Sequence, residues 1–109
     1  MKNDKQRLQH IVESINHIES FCAGITYEAY MEDFKLRLAL VKLLEIIGEA
    51  ATHLSDETKQ RFDHVEWATL KAIRNILIHE YFGIDYEIIW DSIQKDIPIL
   101  AKKINTIVL

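Results

Sequence analysis

Four side chains able to bind and cut a phosphodiester fall within eight residues. They are Arg74, Asn75, His79 and Tyr81, in the run Arg74-Asn75-Ile76-Leu77-Ile78-His79-Glu80-Tyr81. Histidine exchanges protons near neutral pH, so His79 could take the proton of a ribose 2′-hydroxyl or protonate a leaving oxygen. The planar fork of Arg74 suits a phosphate whose charge grows in the transition state. Asn75 could orient the imidazole or donate to a phosphate oxygen. No metal or cofactor is needed when the nucleophile is the substrate's own hydroxyl. On a helix, at about 100° per residue, Asn75 and His79 share one face and Arg74 and Tyr81 an adjacent one. One copy of the segment therefore makes the corner of a site. Two such helices crossing on a twofold axis could complete a polar cleft, because an isologous interface brings each residue near its symmetry mate. Spacing alone fits a plainer arrangement better: a surface histidine, an arginine in a salt bridge, and a tyrosine packed at a helix end.

The elements that must hold this segment are helices. The 109 residues contain 3 Gly and 1 Pro, too few breakers for many short strands. Leu8, Ile11, Val12, Ile15, Ile18 and Cys22 repeat at the spacing of one buried face and predict a helix from about Asp4 to Cys22. Ala23-Gly24-Ile25 breaks it, and Thr26 can cap the next helix. A long helical stretch is expected over Tyr27 to Leu54, with a kink near Asp33. Its second half is apolar around much of its circumference, so it belongs at the centre of a bundle or in a dimer interface. Gly48, Ala50 and Ala51 permit close approach of another helix there. Ser55 can cap a short helix over Asp56 to Phe62. The motif helix is expected to start near Trp67 and to end at Gly83, as a C-terminal cap. Asp85 can cap the next helix, with Ile84 and Ile89 at the spacing of a hydrophobic staple. Pro98 is expected to start or kink the final one. Short connections suggest an antiparallel all-α bundle forming one domain over residues 1–109.

Composition narrows the function further. The chain is 49% hydrophobic and 28% charged with a net charge of -4. That argues against a broad phosphate-binding surface, since nonspecific nucleic-acid binders are usually basic. A small local site is still compatible with it. The single cysteine, Cys22, cannot form an internal disulfide, which points to a reducing, cytoplasmic setting. Its place at the end of an apolar stripe reads as core rather than nucleophile. No apolar run approaches the roughly 20 residues of a membrane span, and the N-terminus lacks a signal-peptide core.

The surroundings of the motif add a resemblance. Arg74 to Tyr81 resembles the R-x4-H-x-Y signature of the HEPN superfamily, and in particular of the HepT-like toxins. Ile47-Gly48-Glu49-Ala50 resembles that family's I-G-E-A segment. Val65-Glu66-Trp67 resembles the aromatic entry to its motif helix. Ile89-Trp90 and Ile97-Pro98-Ile99-Leu100 resemble its C-terminal helices. The resemblance covers nearly the whole chain and implies a HEPN-type helical bundle forming a symmetric homodimer. It implies a metal-independent endoribonuclease toxin, with RNA as substrate and a composite cleft at the dimer interface. By position, Arg74 and His79 inherit the catalytic roles and Asn75 a supporting one. It also implies a minimal nucleotidyltransferase antitoxin that adds AMP to the motif tyrosine, here Tyr81. A bulky anionic group there would compete with substrate phosphate by charge and volume. A reading of another class is a non-catalytic companion of such a nucleotidyltransferase, and the acidic net charge favours it.

Other polar residues read more plainly. Glu49 could reach the site or the neighbouring helix, or stand as a solvated or salt-bridged residue beside Gly48. Glu80 is expected to point away from His79 and Tyr81. His10, His17, His53 and His64 form no convincing ligand set. Trp67 and Trp90 read as core anchors, and Lys102 and Lys103 are too few to make a phosphate-binding surface.

Overall fold

A computed structural model describes residues 3–79 and 83–107. Its helices are α1 (Asp4–Cys22), α2 (Tyr27–Glu32), α3 (Phe34–His53), α4 (Asp56–Arg61), α5 (Trp67–His79) and α6 (Tyr86–Ile104). The described residues contain no strand, so the fold is all-helical, as the scarcity of breakers predicts.

The apolar face of α1 is buried at Leu8, Ile11, Ile15 and Ile18, with Val12 and Cys22 packed at the margin of the core. Gly24 turns the chain at φ 72°, a conformation in which a Cβ would be strained. Thr26 Oγ1 then accepts from Ala29 N at 3.1 Å and opens α2.

The stretch expected as one kinked helix is two. Asp33 leaves helical geometry at φ -113°, ψ 90° and serves both ends. Its N–H donates to Tyr30 O at 3.2 Å, closing α2. Its Oδ1 accepts from Leu36 N at 3.0 Å, opening α3. Arg37 locks the joint by donating to the carbonyls of Tyr30 (3.2 Å) and Met31. Its guanidinium also lies over the Tyr86 ring, 4.7 Å from the centroid. A short polar residue that can cap in both directions thus divides an otherwise continuous helical pattern.

The central place expected for the apolar stretch falls to α3, which packs on α1 and on α5. It buries Leu40, Val41, Leu44, Ile47, Gly48, Ala50 and Ala51. Two neighbours explain why its stripe is wider than that of a surface helix. Ser55 caps α4 as expected, accepting from Thr58 N at 3.2 Å.

The final segment corrects one of the two outcomes expected at Pro98, which does not start the last helix. One helix runs through it from Tyr86 to Ile104. Pro98 is exposed, so the helical bond it cannot make is lost on the solvent side. Ile93 and Ile97 before it, and Leu100, Ala101 and Ile104 after it, are buried on the same element. That continuous inner face outweighs the local preference of one proline. Asp85 Oδ1 accepts from Glu87 N (3.1 Å) and Ile88 N (3.3 Å) at the helix start. Trp67 is buried with Nε1 donating to Phe62 O at 3.1 Å, and Trp90 packs 4.8 Å from the Tyr30 ring. Both act as anchors. No described helix is long and apolar enough to cross a membrane.

Candidate active site

Helix α5 is pinned by its inner face. Leu70 and Leu77 are buried and Ile73 is partly so. Arg74 lies one residue beyond Ile73, on the flank that meets α3. The contact there is unusually close because α3 presents Gly48. A Cβ built on Gly48 would collide with Arg74 Cβ and stand 3.0 Å from Leu70 O. Neither obstacle is the free end of a flexible side chain, so only glycine lets the two backbones approach this far. Of the small residues read in the sequence as permitting close packing, Gly48 does so at Arg74, the first residue of the motif.

That approach brings Glu49, the next residue on α3, against Arg74. Glu49 Oε2 accepts from Arg74 Nε at 2.7 Å, and Oε1 lies 2.7 Å from His53 Nε2. Hydrogen bonds from His53 and from Arg74 hold the Glu49 carboxyl below its ordinary range. Both expectations for Glu49 are met at once: it is salt-bridged, and its partner is the motif arginine. Arg74 also donates through Nη1 to Asn75 Oδ1 at 3.2 Å. Helical geometry placed Arg74 and Asn75 on adjacent faces, and the length of the arginine closes the gap between them. Two of the five N–H donors of the fork are thereby committed. Among the described residues the Nη2 donors meet no acceptor. The Arg74 side chain is 26% exposed, enough for an incoming anion to reach it.

A cleft of about 560 Å³ opens beside this arginine, between α1 and the outer face of α3. Arg7 and His10 come to it from α1, and Lys42, Glu45, Glu49 and His53 from α3. Arg7 Nη1 donates to His53 O at 3.1 Å. A chain of contacts therefore runs Arg7, His53, Glu49, Arg74 along one wall. Sequence reading left Arg7 unremarked and treated His53 as scattered. The four-residue spacing of Glu49 and His53 was the available signal for the second. Nothing local announced the first, since Arg7 and His53 are 46 residues apart.

His79 is the last residue of α5. Tyr81 and Glu80 lie outside the described residues, as does the way the helix passes to Gly83. Cys22 is half-buried, and burial pushes its thiol up from its ordinary value, which fits a core residue.

Comparison with known proteins decides the family. The family model described as Ribonuclease HepT-like matches residues 11–107. The chain belongs to the HepT-like ribonuclease family. It is 35% identical over 102 residues to a Thermococcus cleftensis protein named "Probable ribonuclease HepT", covering 94% of this chain and 93% of that one. Two proteins named "Putative RNase" are similar as well. One, from Methanocaldococcus jannaschii, is 36% identical over 103 residues and 94% of both chains. The other, from Caldanaerobacter subterraneus, is 39% identical over 107 residues, 98% of this chain and 96% of that one. No solved structure matches the chain significantly. Membership of this HepT-like family places the chain in the HEPN superfamily that the motif and the I-G-E-A segment resembled.

Proposed function

We propose that this HepT-like protein is a metal-independent endoribonuclease toxin that cuts RNA at a cleft shared by two copies. The observation that carries this reading is Arg74, oriented by Glu49 and Asn75 with its Nη2 edge left for a phosphate. In the reaction, His79 of one copy removes the proton of the ribose 2′-hydroxyl. The freed oxygen attacks the adjacent phosphorus, and the bond to the 5′-oxygen breaks. The departing oxygen takes a proton from the second copy's His79. The products are a 2′,3′-cyclic phosphate and a 5′-hydroxyl. Arg74 stabilises the charge that builds on the non-bridging oxygens, and Asn75 supports it. A dimer supplies the acid and the base from one sequence position, which a single motif helix cannot do.

The outer face of α3 supports such pairing. Phe34 (57% exposed) and Leu38 (47% exposed) continue the stripe that leads through Lys42 and Glu45 to Glu49. A second copy seated on Phe34 and Leu38 would cover the amino-terminal part of that stripe and leave the cleft beside Arg74 to the substrate. Tyr81, two residues past His79, is the proposed AMP acceptor through which a minimal nucleotidyltransferase silences the toxin.

The test is cleavage of RNA in the presence of a chelator. Wild type should leave cyclic-phosphate ends, and His79→Ala should lose them together with toxicity on expression. Equal residual cleavage by both removes the catalytic claim. Mass analysis after coexpression with a nucleotidyltransferase tests the switch. An adduct that persists in Tyr81→Phe moves the modification elsewhere. The acidic net charge of -4 favours a second reading, a non-catalytic companion of the transferase. Absence of toxicity from wild type without that partner would support it.

A further inference from the structure

The cleft between α1 and α3 is larger than a single phosphate needs, and its volume of about 560 Å³ is in the range of sites for nucleotide-sized ligands. We infer that it holds the phosphodiester backbone flanking the cleaved bond, with Arg7 and Lys42 as its phosphate contacts. The inference rests on the ribonuclease reading above and adds to it where the strand runs.

Charge carries the argument first. The protein is acidic as a whole, with a net charge of -4, so most of its surface repels a polyanion. In the cleft the balance reverses, because Arg7, Lys42 and Arg74 outnumber Glu45 and Glu49. A recess with an excess of cations favours a polyanion where the rest of the molecule opposes it. Both carboxylates are already engaged, Glu49 at 2.7 Å from Arg74 and Glu45 at 3.8 Å from Lys42. Lys42 is 71% exposed, free to swing towards a ligand.

Continuity carries it second. Arg7 is joined to Arg74 by successive contacts through His53 and Glu49, each between 2.7 and 3.1 Å. A strand whose scissile phosphate meets Arg74 thus has a second cation along the same wall. The amides of Asn3 and Gln6 also line the cleft. They can hydrogen-bond ribose or base edges of any sequence. Contacts to backbone position a strand without reading it, so this track adds affinity more than sequence choice.

Binding is measured by fluorescence anisotropy with a labelled single-stranded oligoribonucleotide, in a His79→Ala background that leaves the strand intact. Each phosphate contact on a single strand contributes about 0.7 to the slope of log affinity against log salt. Arg7→Gln with Lys42→Gln should flatten the slope by about 1.4 and weaken binding roughly tenfold at low salt. Lys42→Gln alone, at an exposed position where folding is not at stake, should flatten it by about 0.7. Glu45→Gln should tighten binding, an effect that a purely structural role for this wall would not produce. Lys102→Gln, on the exposed face of α6, should change nothing. Unchanged affinity and slope in Lys42→Gln and in the double variant overturn the inference, including the case in which these changes weaken association with a protein partner instead. Cleavage separates the two claims. If wild type cuts RNA in chelator and His79→Ala does not, the ribonuclease reading stands whichever way the slopes fall.

Discussion

Two carboxylates on this bundle are held below their ordinary range, and they are held differently. Asp4, at the start of α1, is buried. Burial alone would raise its pKa, but hydrogen bonds from Ser55 and Thr58 more than reverse that and bring it far down. Ser55 Oγ and Thr58 Oγ1 each donate to Oδ2 at 2.5 Å, and Ser55 N donates to Oδ1 at 3.2 Å. Ser55 and Thr58 belong to the cap of α4. Glu49 is 48% exposed, and it meets a histidine and an arginine at the edge of a cleft. The first arrangement fastens the amino end of α1 to the turn after α3. The second holds a cation ready for something else. A charge buried against the donors of a helix cap serves the fold, because no ligand can reach it and removing it leaves orphaned donors. A half-exposed ion pair contributes little to stability, so its position beside the motif arginine has meaning mainly for what that arginine binds.

The contrast can be broken in order of expected effect. Arg74→Ala should lower RNA cleavage by about 10² to 10³-fold, the scale of a lost charge stabiliser. Its unfolding midpoint in urea should move little, because its salt bridge is half-exposed. A large stability loss without a catalytic one would place Arg74 with Asp4 as a structural residue. Gly48→Ala should damage both properties. Its Cβ must force α3 and α5 apart, at a cost of about 1–3 kcal/mol, and the displaced Arg74 should lower activity per folded molecule. Chemical denaturation together with active-fraction measurement reads the two separately.

Asp4→Ala should cost about 1–3 kcal/mol by leaving the Ser55 and Thr58 donors unpaired. Cleavage per folded molecule should be unchanged. The pH dependence has a definite sign. A carboxyl whose folded pKa lies below its unfolded value of about 3.9 contributes stability above that value. The contribution is lost as pH falls from there towards the folded pKa. Wild type should therefore weaken in acid below about pH 4, and Asp4→Ala should show a shallower acid limb in thermal melts. An identical limb in both would remove Asp4 from the account.

Glu49→Gln is the smallest stability change expected, under about 1 kcal/mol. The amide oxygen can still accept from Arg74 Nε, so the variant tests charge rather than geometry. Glu49→Ala, which loses the acceptor, should reduce cleavage further than Glu49→Gln does. Equal activity of the two variants would mean that Glu49 does not orient Arg74.

Much of the fold could be read along the chain, because its determinants are local. The buried stripe of α1, the caps at Thr26, Ser55 and Asp85, and the start of α5 at Trp67 come from residue type and spacing over one or two turns. The misread places are those where a local signal has two outcomes. Asp33 kinks or caps according to whether its carboxylate reaches Leu36 N. Pro98 starts a helix or is carried within one according to whether the flanking turns are buried on both sides. Within the site, Arg74 and Asn75 were legible because a motif confines them to one helix. Arg7 was not, because its value lies in facing the end of a different helix.

The sequence by itself determined that the chain is helical, which face of each helix is apolar, and which residue types stand near His79. Those are properties of a 3.6-residue period and of single side chains. Tertiary structure alone decided the salt-bridge partner of Arg74, which is Glu49, 25 residues away. It also decided the partners of Asp4, among them Ser55, 51 residues distant. The physical reason at the site is the crossing of α3 on α5 at Gly48. There the two backbones come close enough for a carboxylate on one to meet a guanidinium on the other. No periodicity along the chain encodes where two helices touch.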